Sequence, residues 1–153
     1  MCEYRYSHII AWDEQYRRIY FAIAVGPSWD KPWGIYNYSL TTHRFTRFAD
    51  TDAAYFQFGA VSDSGRYLAY LKMHHQSAAG PCRSQTDIEI VDLWNRRIGN
   101  PAVSLDGSTE CVIVVILKWS SRSELEYGYR SNGAEIPGGL FSGRINLGSV
   151  VFH

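Results

Sequence analysis

Residues 34–45, GIYNYSLTTHRF, align without a gap on residues 87–98, DIEIVDLWNRRI, with Ile35 over Ile88, an offset of 53. Each segment reads as a strand, a short polar turn and a second strand. A separate landmark gives nearly the same spacing, because the turns at Asp13 and Asp63 lie 50 residues apart. Self-similarity at such a period is the signature of arrays of small repeated sheets. It restricts the fold more than any bulk property of the chain. No long stretch carries a 3.6-residue apolar period, and no strong cap precedes one, so helices are not expected.

Strand signals fill the sequence instead. His8 to Trp12 and Arg18 to Val25 flank Asp-Glu-Gln-Tyr; Phe56 to Val61 and Tyr67 to Met73 flank Ser-Asp-Ser-Gly; Val112 to Trp119 and Glu124 to Tyr129 flank Ser-Ser-Arg-Ser. Each reads as a hairpin. A short further hairpin is expected within Gly139 to Leu147, turning at Ser142-Gly143-Arg144. Alternation places Ile88 and Ile90 on one face of their strand and Glu89, Val91 and Leu93 on the other. Apolar groups on both faces suit a sheet stacked between two neighbours.

The stretch Val61 to Leu71, VSDSGRYLAYL, with its register-matched second hairpin, resembles the opening of a blade in β-propellers of the TolB and WD40-like sort. The resemblance implies an all-β fold of antiparallel four-stranded propeller-like blades, two plus a partial third. The units fall at about 6–50, 56–106 and 110–153 of a single domain. A closed propeller needs at least about four blades, so this chain is not a closed ring as a monomer. An ordinary antiparallel sandwich or barrel is the alternative.

The chain of 153 residues is long enough to bury roughly two thirds of its unfolded surface. Lys plus Arg equal Asp plus Glu at 15 each, so no global field draws the chain to nucleic acid or to an anionic membrane. No apolar run is long enough to span a bilayer. Three widely spaced cysteines, Cys2, Cys82 and Cys111, make neither a disulfide framework nor a zinc pattern. With no secretion signal, a cytoplasmic setting is expected. Asn37-Tyr38-Ser39 is then a chance glycosylation sequon. Eleven Tyr, seven Phe and five Trp favour strands first and binding surfaces second.

In a meander, alternate turns share one end of the sheet. One end of each unit has short turns, and the other has the longer connections, which more often carry function. The connection GPSWDKPW holds Trp29, Asp30, Lys31 and Trp33, with two prolines to limit its freedom. His74, His75 and Arg83 lie in the next long connection, His74 to Thr86. These seven residues form the expected partner-binding face. Trp29 and Trp33 could instead stack on a sugar.

No catalytic site is assigned. Cys82, His74 and Asp87 lack a nucleophile motif. Asp13 and Asp63 sit in turns, where Asp serves the backbone. Gly133, Gly138 and Gly139 make no phosphate loop. Adjacent histidines point to opposite strand faces, so no metal and no cofactor is expected. The resulting expectation is a non-catalytic protein-binding module, with a homodimer as another way to cover the open stack. Its concrete form is similar to small bacterial immunity proteins that neutralise a toxin. A carbohydrate-binding protein and an enzyme with an unrecognised site are the alternatives.

Overall fold

The structure, a computed structural model, describes residues 5–25, 33–51, 55–75, 84–101, 111–132 and 141–153. Among these residues the fold is all-β. The first sheet contains β1 (Arg5–Asp13), β2 (Arg18–Val25), β3 (Trp33–Ser39) and β4 (Arg44–Thr51). The second contains β5 (Tyr55–Val61), β6 (Tyr67–His75), β7 (Ser84–Asp92) and β8 (Arg97–Gly99). The third contains β9 (Cys111–Trp119), β10 (Glu124–Asn132) and β11 (Phe141–Asn146). Every sheet is an antiparallel meander in chain order, and none closes on itself.

The three hairpins and the 34–45 and 87–98 pair form where the sequence places them. The hairpin expected around Ser142-Gly143-Arg144 does not. These residues pair with Gly128, Tyr127 and Glu126 inside one continuous strand. Gly143 serves packing there, since a Cβ would come within 2.3 Å of the Tyr127 ring. The second long connection is also shorter than expected. His74 and His75 belong to β6 and pair with Gln85 and Ser84, so that connection narrows to residues 76–83.

The second sheet is the middle layer. Leu68, Tyr70, Val91 and Leu93 face the first sheet and pack with Ile10, Tyr20, Ala22, Trp33 and Ile35. Ala69, Leu71, Ile88 and Ile90 face the third sheet and pack with Val114, Leu117, Leu125, Tyr127 and Ile145. The alternation read from β7 therefore holds on both faces. Each fully buried Leu or Ile contributes roughly 1.5–3 kcal/mol. Trp119 ties the third sheet to the second, its indole N–H donating to the Ala60 carbonyl at 3.0 Å. Residues beyond β11 then cross to the second sheet. Ile98 and His153 exchange backbone hydrogen bonds of 3.2 and 2.9 Å, which covers the outer edge of β8.

Three short turns share one chemistry. Asp13, Ser39 and Asp92 each accept from the backbone N–H three residues on, at 3.0, 3.2 and 3.2 Å. The fifth residue, Arg17, His43 or Arg96, adopts a left-handed conformation with φ of 51°, 53° and 56°. The side-chain acceptor satisfies an N–H that the ladder leaves open. The Ser62 to Gly65 turn solves the same problem differently. Ser62 Oγ accepts from the Tyr67 N–H at 3.0 Å, and Gly65 takes φ 66°. A Cβ on Gly65 would also meet the Tyr16 ring at 2.5 Å, so glycine serves both conformation and close approach.

Candidate functional site

The two sides of the first sheet differ. Its inner side joins the core. Its outer side carries a ladder of apolar and aromatic residues, and among the described residues no layer lies upon it. Cross-strand pairs share a face, so the pairing register defines three rows. Trp12, Ile19, Tyr38 and Phe45 form one row. Ile9, Phe21, Tyr36 and Arg47 form the next, and Ser7, Ile23, Gly34 and Asp50 the third.

A bulge in β1 makes this possible. The register shifts between Ile9 and Ala11, and both Ile10 and Ala11 are buried. One extra residue is absorbed there. Ile9 and Trp12 consequently point outward, at 69% and 51% exposure, with Phe45 at 64%. Phe45 contacts Tyr38 and Phe21, with ring centroids 4.8 and 5.7 Å apart. Ser7, Ile9, Ile19, Phe21, Ile23 and Phe45 line a shallow hollow of about 370 Å³. At the β4 margin Arg47 lies 6.0 Å from the Tyr36 ring centre and donates from Nε to Asp50 at 3.1 Å.

A second, polar cleft of about 480 Å³ opens between the first two sheets, beside β4 and β8. Glu89 is buried on its wall, accepting from the Tyr70 hydroxyl and from Lys72 Nζ at 2.8 Å. Both charges are removed from water, so their attraction must offset a desolvation cost of several kcal/mol per ion. The cleft wall thus holds a compensated ion pair.

At the short-turn end, Asp92 accepts from Arg66 Nη2 and Asn95 Nδ2, both at 2.8 Å, and from two backbone N–H groups. Burial pushes its carboxyl up, but these donors outweigh burial and hold it below the usual carboxylate range. The Arg66 guanidinium lies 4.9 Å from the Tyr67 ring centre and 5.3 Å from that of Trp94. Burial pushes the Tyr20 phenol up, against the pull of Arg18 and Asn37. Neither shift creates an activated nucleophile. Among the described residues no group of three or more His, Cys, Asp or Glu could hold a metal ion. No helix there is long and apolar enough to cross a membrane.

Of the residues expected to bind a partner, Trp29, Asp30, Lys31 and Arg83 lie outside the described residues, as do the side chains of His74 and His75. Trp33 is 5% exposed and belongs to the core between the first two sheets. Its ring packs inward rather than standing on a loop. Asn37 of the sequon is likewise buried, facing inward on β3. The exposed indoles are Trp12 and Trp94 among the described residues. The outer face went unnoticed in the sequence, although β2 announces it. RIYFAIAV carries Ile19, Phe21 and Ile23 at one parity and Tyr20 and Ala22 at the other. Such a strand suits a sheet covered on both sides. No protein-family model matches the chain, and no curated protein or solved structure matches it either.

Proposed function

We propose that this protein is a non-catalytic protein-binding module that docks through the outer face of its first sheet. The observation that carries the reading is the ladder of exposed Ile9, Trp12 and Phe45 around half-buried Phe21, on a sheet whose other side joins the core. Contiguous apolar surface of this kind marks an interaction site in a folded protein. Aromatic residues supply large contact area at low entropy cost and dominate interface energetics. Strand addition at the β4 edge is disfavoured, because Arg44, Arg47 and Asp50 line it.

In its concrete form, the module is an inhibitor in a bacterial cell that covers the active site of a cytoplasmic toxin. That version rests on the likeness to small immunity proteins, which is an argument of analogy. A capture experiment tests the reading. Tagged wild-type protein retains a stoichiometric protein partner from its own host, and an Ile9→Lys, Phe45→Lys double variant loses it while keeping its far-ultraviolet dichroism. Equal recovery by the two proteins removes this face from the function.

A further inference from the structure

We propose that a second copy of this chain covers the face, first sheet against first sheet, in an isologous two-fold dimer. This inference rests on reading that face as a docking surface, and a toxin would bind there only by displacing the second copy.

The two ends of the three-layer stack decide the arrangement. The outer face of the third sheet presents Lys118, Glu124, Glu126 and Arg144 at its turn end, with Arg144 Nη2 3.1 Å from Glu126, while the register puts Ile116 opposite Gly128 and Ile113 opposite Arg130 further along the same face. A head-to-tail contact would press the apolar face onto these charges and strip them of water, which costs more than the pairs return. It would also leave a fresh apolar face at the far end, so the assembly would grow without closing. Contact between two first sheets buries apolar surface on apolar surface. Both charged ends stay in water, and the assembly stops at two.

Area and charge agree. The four strands run seven to nine residues. At about 3.4 Å per residue and about 4.8 Å between strands, the face measures roughly 19 by 25 Å. Two such faces bury on the order of 1,000 Å², the lower limit for a specific interface, so the pairing is weak and depends on protein concentration. The chain carries 15 basic and 15 acidic residues, so copies do not repel. Arg47 is already matched by Asp50 at the margin. Edge pairing does not compete at β8, because residues 150–153 occupy that edge.

Sedimentation equilibrium across a wide concentration range tests this. The wild type should approach twice its 17.5 kDa chain mass as concentration rises. Ile9→Lys with Phe45→Lys should halve that mass, whereas Glu124→Lys on the opposite end should leave it unchanged. A wild type that stays monomeric at high micromolar concentration overturns the proposal, whatever the variants do. So does a dimer that persists in the double variant. A monomeric wild type that still captures a partner through this face leaves the docking reading intact and removes self-pairing alone.

Discussion

The outer faces of the first and third sheets differ most between β2 and β10, since β9, CVIVVILKW, is apolar at both parities as β2 is. β2 reads RIYFAIAV, apolar at both parities, while β10 reads ELEYGYRSN, with Glu124 and Glu126 alternating against Leu125 and Tyr127. In β10 the inward residues meet the second sheet and the outward ones meet water, forming a Lys118, Glu126 and Arg144 row of alternating sign. In β2 the outward residues Ile19, Phe21 and Ile23 match those of a strand with layers on both sides. The middle sheet shows that fully covered case, since β7 sends Ile88 and Ile90 one way and Val91 and Leu93 the other. The first sheet is thus coded like an interior layer and placed at an end.

The comparison can be broken most forcefully by moving between covered and uncovered charge. Glu89→Ala should destabilise the fold by about 3–5 kcal/mol, because it leaves the Lys72 ammonium buried without its carboxylate. Glu126→Ala on the third sheet should cost no more than about 1 kcal/mol, as an exposed pair does. Urea unfolding of both variants reads the difference, and equal costs would contradict the assignment of inner and outer charge. Next in size is a contrast across one sheet. Ile35→Ala, on the inner side, should lower stability by about 2–5 kcal/mol. Ile9→Ala, measured below the dimer's dissociation range, should lower it by less than about 1 kcal/mol. A large loss at Ile9 in the monomer would mean that its side chain is already covered.

Asp92 sharpens the picture at the turn end. Its folded carboxyl is held below the reference value of 3.8. Its contribution to stability is therefore fully present above about pH 4 and disappears as the pH falls through the folded value. Asp92→Asn should lose stability at neutral pH and flatten that acid limb in denaturant midpoints taken across pH. The smallest effect is expected at the left-handed turn positions. His43→Gly should stabilise by up to about 1 kcal/mol, because a residue with a Cβ is strained there. A thermal midpoint that falls would show that the contact of His43 Nδ1 with the Tyr38 hydroxyl, at 3.1 Å, outweighs the strain.

Much of this arrangement is legible in local residues. The turns D-E-Q-Y-R-R, S-L-T-T-H-R and D-L-W-N-R-R each place a side-chain acceptor first and the left-handed residue fifth. Two of the three line up in the gapless self-alignment, and the first escapes it because it joins a different pair of strands. Other features depend on what lies across a gap. Gly143 looks like a turn residue until Tyr127 is seen to occupy its Cβ position. Trp33 looks like a loop anchor until β3 is seen to begin with it and turn its ring into the core. The bulge at Ile10 cannot be read from β1 alone, since an extra residue has meaning only against β2.

Alternation and turn chemistry act over two to six residues, so the three hairpins after Asp13, Ser62 and Trp119 and the two-sided character of β2 and β7 follow from local sequence. Which layer would cover each side depends on residues far apart in the chain meeting in one cluster, Ile10 with Leu68 in one and Leu71 with Val114 in the other. That the second sheet takes both of its partners from within the chain follows from long-range packing alone. Among the described residues the same packing leaves the first sheet with one, because the stack ends there while its apolar coding does not.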